Sequence, residues 1–432
     1  MRGLMLSVFA GLGLWVTAET LPVHIDLEEA ERLAMLHSPL LRQADANVAI
    51  LESEYGEVRA SGLPRLQAEA DASYDGNPNT GGGNGDFGGS DNESWRAGLR
   101  LDVPLTSFGR LDARLAQIDA NARAAEWGAD RVRRELRLRV RESYLRAKLA
   151  VEAVRVQKLS VEVLEKQWME NQSRQEAGSI TRLPVLQSRV AYENGRTALL
   201  RAERDRKLAV EALRAGVGLP YPEGKGPEDI RLSDDWPTFA LDDMDLRAAR
   251  EAAELTRPEF LALEEERLAA EAARRLADFT RRPDFSAFAT AGFENDRFSD
   301  DDGVREAWML GVQFSVPLYD GGARSSRITR AEAVLREIES RRDQLWQQIE
   351  TDLRDAWSEL ELADAVLESV DATEEQAGEA LRLAREAQAN GRATQLEVST
   401  AELDLTRARL ERIAAEHDRL RAQSRWLYVI GR

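Results

Sequence analysis

Val103-Pro104-Leu105 recurs as Val316-Pro317-Leu318, 213 positions further on, and the same interval keeps returning along the chain. It takes Trp95 to Trp308, Gly109 to Gly322, Arg141 to Arg354 and Tyr144 to Trp357. It takes Gly178, Thr181, Leu183 and Val185 to Gly391, Thr394, Leu396 and Val398, and Gly218 to Gly431. Nearer the N-terminus the interval is 219, matching Pro39 with Pro258 and Pro64 with Pro283. The six-residue difference falls in the Gly/Asn-rich stretch from Gly76 to Asn92. One interval, broken once inside a loop, marks a tandem duplication, so whatever one half folds into, the other half must fold into as well.

Each half has the same internal order. A helix (about 26–61 and about 243–281) leads into two short strands separated by a polar loop, then a very long helix, a break at Gly178 or Gly391, and a return helix. The first repeat is expected over 19–220 and the second over 243–432, with a connector at 221–242. Pro220, Pro222, Pro227 and Pro237 make the stretch around that connector irregular.

Strict alternation of apolar and polar residues places the strands at about 65–75, 94–104, 284–294 and 307–317. Leu66, Ala68, Ala70, Ala72 and Tyr74 alternate with Gln67, Glu69, Asp71 and Ser73; Trp308, Leu310, Val312, Phe314 and Val316 alternate with Met309, Gly311, Gln313 and Ser315. Such strands either cover a soluble core or cross a bilayer. Their length suits a tilted transmembrane strand of ~9–11 residues. Tyr74, Trp95, Phe293 and Trp308 stand near the ends of the apolar faces, as a membrane-interface girdle requires. The loops between the strands are polar, and one contains Asp300, Asp301 and Asp302, which makes burial implausible.

Four strands do not close a barrel, and an open edge in hydrocarbon costs several kcal/mol per unpaired backbone group. Two chains would supply eight strands, a number at which side chains fill the interior; three would supply twelve and leave a water-filled lumen. The spanning unit is therefore expected to be an oligomer.

No proline interrupts residues 105–183 or 318–432, which predicts helices from near Ser107 to Ala177 and from near Asp320 to Asn390. At ~1.5 Å per residue, each would reach about 105 Å. In the second, Leu335, Ile338, Leu345, Ile349, Leu353 and Trp357 open a narrow apolar stripe of the kind that forms a coiled-coil seam. Helices of this kind alone would equally suit a soluble scaffold; the strand pairs beside them favour a tube projecting from a barrel.

Composition narrows the function. There are no cysteines, and the three histidines (His24, His37, His417) lie far apart, so neither a metal site nor a cysteine-linked lipid anchor is expected. No nucleotide-binding or metalloprotease motif occurs, and no cofactor or enzymatic activity is expected. A net charge of −18 argues against nucleic acid. A mean hydropathy of −0.46 excludes a helical multi-pass membrane protein. Arg2, the apolar run from Leu4 to Val16 and the small residue Ala18 read as a secretory signal peptide over 1–18.

Over essentially its whole mature length the sequence resembles the TolC-like family of outer-membrane efflux and secretion channels, the outer membrane factors. The resemblance rests on the duplication, on Ile25-Asp26-Leu27-Glu28-Glu29-Ala30 and Thr256-Arg257-Pro258-Glu259, and on Val316-Pro317-Leu318-Tyr319-Asp320-Gly321-Gly322. The Gly-x-x-Thr-x-Leu segments at 178 and 391 belong to it too. It implies a mainly α fold with a small β part, assembled as a homotrimer. Such a trimer has a twelve-stranded transmembrane β-barrel in the outer membrane and a twelve-helix α-barrel in the periplasm. It implies a periplasmic adaptor and an inner-membrane transporter of the RND or ABC type as partners, beside outer-membrane lipid. The role implied is the exit duct of a tripartite efflux system. The outer-membrane component of type I protein secretion and a soluble periplasmic coiled-coil scaffold are the alternatives.

In that family acidic side chains beyond the second tip glycine ring the tunnel mouth. Carried onto this sequence, the position is Glu397, and Thr400 stands where some relatives have a second acid. Glu402 and Asp404 follow closely, more in keeping with a solvated helix face. The turns Ala177-Gly178-Ser179 and Asn390-Gly391-Arg392 resemble the places where adaptor hairpins dock.

Overall fold

A computed structural model of the chain describes residues 24–76, 91–219, 226, 230–241, 245–295 and 304–432, and gives the backbone alone for residues 74–76, 91–94 and 295. The signal peptide and Pro220, Pro222 and Pro227 lie outside the described residues. The elements follow as β1 (His24–Ile25), α1 (Leu27–His37), α2 (Pro39–Ala60), β2 (Arg65–Gly76), β3 (Asp91–Thr106), α3 (Arg110–Glu176) and α4 (Arg182–Val217). The second half gives β4 (Arg231–Leu232), α5 (Leu246–Thr256), α6 (Pro258–Phe279), β5 (Asp284–Asn295), β6 (Val304–Ser315), α7 (Ala323–Ala389) and α8 (Gln395–Val429). Among the described residues no helix is long and apolar enough to cross a membrane.

Each repeat opens with two helices where the sequence suggests one. The breaks fall at Ser38 and Arg257, the residues before Pro39 and Pro258. A residue before proline is pushed out of the α region, and both Ser38 and Arg257 are extended (ψ 122° and 125°). Proline at the first helical position then starts the next segment with a fixed φ.

The long helices α3 and α7 each contain 67 residues, the equality a duplication demands. Asp320 starts α7 by accepting from the backbone N–H groups of Gly322 (3.1 Å) and Arg324 (2.8 Å). At the corresponding start of α3, Phe108 has φ +49°, a left-handed conformation that its counterpart Gly321 adopts without a side-chain clash. Arg282 holds the Phe108 carbonyl at 2.7 Å, and the ring stands 6.4 Å from that of Phe285.

The chain divides into two compact units, and the division falls inside α3 and α7. One comprises residues 1–39, 134–245 and 354–429. Its core packs Leu33, Val140, Tyr144, Val210 and Leu213 beneath the parallel pair β1–β4, where Ile25 pairs with Leu232. Lys148 on α3 is fully buried there, its ammonium donating to Glu152 (2.6 Å) and to the carbonyls of Ser233 (3.0 Å) and Asp234 (2.6 Å).

The other unit comprises residues 40–133, 246–353 and 430–432. It contains an antiparallel sheet in the order β2-β3-β5-β6, so the two repeats meet at β3–β5. Beside the sheet, Leu263 and Ala270 of α6 pack on Ile338 of α7, and Phe260 meets Trp346 with ring centroids 4.7 Å apart.

Candidate functional site

The pairing register puts all four alternating patterns in phase. Leu66 pairs with Leu101, Leu101 with Ala289 and Ala289 with Leu310; one row further, Ala68, Leu99, Ala291 and Trp308 align. One face of the sheet is therefore continuously apolar and open to the surroundings, with Trp308 80% and Leu310 74% exposed. An uncovered apolar face of this kind marks a surface that meets a membrane or another protein.

The opposite face is polar. Its four central rows run from Arg65–Asp102–Phe288–Gly311 to Asp71–Arg96–Glu294–Arg305 and hold four arginines and four carboxylates, a net charge of zero. Arg96 lies 3.4 Å from Glu294 and Arg100 2.8 Å from Asp102. All three glycines within these rows, Gly98, Gly292 and Gly311, lie on this face. A β-carbon on Gly98 would fall 2.8 Å from the Ala291 carbonyl oxygen, and one on Gly311 would fall 2.5 Å from the Phe288 ring. At these positions the polar face has no room for a side chain.

The expected girdle residues occupy neighbouring rows. Trp95 pairs with Ala72, Phe293 with Ala97 and Trp308 with Ala291; Tyr74 lies on β2, its side chain outside the described residues. A second aromatic group at the helix end of the sheet was not singled out from the sequence. Phe285 and Phe314 pair across β5 and β6 with centroids 4.7 Å apart, and Phe108 joins them. Its signal was present, since Phe285 begins the same alternating set that Phe293 ends. The outer edges of β2 and β6 have no strand partner among the described residues.

The two helix hairpins end in the same turn. After α3, the Gly178 N–H donates to the Gln175 carbonyl (2.9 Å) and the Ser179 N–H to the Arg174 carbonyl (2.8 Å). After α7, Gly391 donates to Gln388 (2.9 Å) and Arg392 to Ala387 (2.8 Å). These paired bonds are the Schellman closure of a helix, which needs a left-handed residue; Gly178 has φ +76° and Gly391 φ +72°. A β-carbon on either would meet nothing, so backbone conformation alone selects glycine there. Ala177 and Asn390 precede these glycines in the turns.

Glu397 sits three residues into the turn that starts α8. Its carboxylate accepts from the Thr394 N–H (2.6 Å) and hydroxyl (3.1 Å), while the Glu397 N–H donates to Thr394 Oγ1 (3.3 Å). This reciprocal capping box holds the Glu397 carboxyl below its usual range, chiefly through the Thr394 backbone bond. The first repeat has no such box, because Pro184 stands at the matching position. Thr400 is exposed and donates back to the Leu396 carbonyl (2.9 Å).

Glu402 is 6% exposed, not part of a solvated face, whereas Asp404 is exposed. Arg385 on α7 donates to one Glu402 oxygen (2.8 Å); the other has no partner, and burial pushes this carboxyl up against the pull of Arg385. Further along the hairpin the signs reverse: Glu374, Asp371, Asp364 and Glu359 on α7 meet Arg409, Arg412, Arg419 and Arg425 on α8 at 2.7–3.3 Å.

A family model described as outer membrane efflux protein matches residues 32–219 and 249–432. No curated protein sequence matches the chain. Solved structures share its fold. The CmeC outer membrane channel of Campylobacter jejuni aligns at a TM-score of 0.77 and 16% identity, covering 94% of this chain and 85% of its own. The outer membrane protein VceC of Vibrio cholerae gives 0.74 and 19%, covering 94% and 96%. The MtrE outer membrane channel of Neisseria gonorrhoeae, in its open state, gives 0.74 and 19%, covering 94% and 88%.

Proposed function

The chain belongs to the outer membrane efflux protein family, whose members are channels of the outer membrane and not enzymes, and on that premise we propose that three copies form the exit duct of a tripartite efflux system. The single observation that carries this reading is a four-stranded sheet with one continuous apolar face and, among the described residues, two edges without strand partners. Sister subunits are the chemistry that satisfies such edges in a membrane, and three chains make twelve strands. The polar face then lines water.

The two aromatic groups fit a bilayer. Eight residues separate Phe285 from Phe293 on β5, about 27 Å along a strand and about 20 Å along a barrel axis at a ~40° tilt. Four helices per chain, α3, α4, α7 and α8, supply twelve for a periplasmic tunnel. The duct does no chemistry: it passes solutes handed on by a periplasmic adaptor and an inner-membrane transporter. Since the four central rows of the barrel lining carry no net charge, charge selection falls to the tunnel, where Glu397 faces the pore in this reading. The turns at Gly178 and Gly391 are the adaptor's docking points.

Reconstitution of the purified protein into planar bilayers tests the reading. Stepwise conductance from a particle of three chains is expected. A protein that stays monomeric in aqueous buffer and opens no channel sinks it.

A further inference from the structure

One contact between α3 and α8 has a counterpart that a single chain does not make. Thr406 Oγ1 lies 3.1 Å from Ser160 Oγ, joining helices that run in opposite directions beside the hairpin turns. In an antiparallel pair, facing residue numbers have a constant sum, here 160 + 406 = 566. The same sum sets Leu164, Gln167 and Asn171 of α3 against Glu402, Ser399 and Gln395 of α8. Of these, Leu164, Asn171, Glu402, Ser399 and Gln395 are all buried.

The duplication interval of 213 carries α8 onto α4 and α3 onto α7. It turns Ser160 and Thr406 into Thr373 and Glu193, whose sum is again 373 + 193 = 566. On α4 the counterparts of Gln395, Ser399 and Glu402 are Arg182, Leu186 and Arg189, and all three are exposed. On α7 the counterparts of Leu164, Gln167 and Asn171 are Ala377, Ala380 and Ala384, none of them buried. The repeat has kept the face and removed its cover.

Three features of these two faces match each other. Bulky Leu186 and Arg189 on α4 fall opposite Ala380 and Ala377 on α7, as a close helix pair needs. Large apolar side chains left in water fall on the same sum: Leu183 (62% exposed) with Leu383 (50%), and Leu200 (59%) with Val366 (41%). Residues 182–204 of α4 hold five arginines and two glutamates, whereas residues 362–386 of α7 hold seven carboxylates and two arginines. Charge, shape and apolar contact thus agree on one alignment.

We propose that α4 of one copy docks antiparallel along α7 of a second copy, in the alignment where partner residue numbers sum to 566. Leu183 then meets Leu383, and Leu200 meets Val366. This rests on the oligomeric reading above and deepens it, because the interface repeats the α3–α8 contact made inside each chain. Both pairs belong to the same interface, so they stand or fall together.

The chain has no cysteine, which makes the test direct. The full-length protein with Leu200→Cys and Val366→Cys, purified in detergent, is treated with a short thiol-to-thiol crosslinker. Covalent products of two and three chains are expected, as they are for Leu183→Cys with Leu383→Cys. Leu200→Cys with Thr373→Cys, two turns out of step, is expected to give at least tenfold less. A three-chain particle by light scattering in which neither in-step pair crosslinks, or the out-of-step pair crosslinks equally well, overturns the alignment while leaving the trimer intact. Crosslinking of these positions only to an added adaptor protein overturns it too, since the face then belongs to that partner. A monomeric particle removes the trimer itself.

Discussion

Gly98 on β3 and Gly292 on β5 face each other across the seam between the two repeats, and neither has room for a β-carbon. One added to Gly292 would lie 2.5 Å from the Gly98 Cα. The obstacle is backbone, which does not rotate aside. Gly292→Ala is therefore expected to weaken the folded oligomer by about 1–3 kcal/mol, the range for overpacking a tight site. The measurement is the temperature at which the oligomer band dissociates on a gel. Gly128→Ala, at a position inside α3 where a β-carbon meets nothing, should not lower that temperature and should stabilise the helix by about 0.5–1 kcal/mol.

Thr394 and Glu397 separate cap from charge. Gln at position 397 keeps a capping side chain but loses the negative charge. Glu397→Gln is expected to reduce cation preference in bilayer recordings with little change in melting temperature. Thr394→Ala should cost about 1 kcal/mol of stability. If Glu397→Gln leaves selectivity untouched, Glu397 has the capping role alone.

The two neighbouring carboxylates should answer to pH with opposite signs. Bonds from Thr394 lower the Glu397 value below its ordinary 4.5, so its stabilising share is present at neutral pH and is lost as pH falls through that lowered value. Burial raises the Glu402 value above 4.5. Its protonated form suits the fold better, so its share is greatest at low pH and is lost as pH rises through the raised value. Arg385→Ala strips the buried carboxylate of its partner and is expected to cost about 1–3 kcal/mol at pH 7. Thermal melts should show that loss shrinking as pH falls through the raised Glu402 value; a loss independent of pH would mean Glu402 is not the group responsible.

Lys148 should be the least replaceable cation of the compact unit that contains the β1–β4 pair. Lys148→Met leaves the Ser233 and Asp234 carbonyls without this donor and Glu152 with Arg155 alone, a loss of about 3–5 kcal/mol if the site stays dry. Limited proteolysis is expected to open the stretch at 230–241 first. Cleavage there unchanged from the parent would show that Lys148 does not hold it.

The duplication, the four strands and the two long helices were legible because each leaves a periodic trace: an interval of 213, alternation by two, a stripe by threes and fours. The breaks at Pro39 and Pro258 were visible as prolines, yet the apolar pattern on either side ran through them. Nothing announced the β1–β4 pair, two residues per strand being too few to show a period. Lys148 carries no local sign of burial, because its i,i+4 pairing with Glu152 looks like any surface helix pair and the two carbonyls it also meets lie more than 80 residues away. At the hairpin tip, Thr-x-x-Glu was readable at 394–397 as a capping box.

Equal helices have an evolutionary corollary. Each of α3 and α7 is zipped to its return helix, and α3 is also tied to α8 by Ser160 and Thr406. Adding a heptad to one would leave every facing residue out of step, so lineages of this protein should grow or shrink their shafts only in four matched insertions at once. Length in such a tube is inherited as a quantum, and natural variants differing in only one helix should be missing.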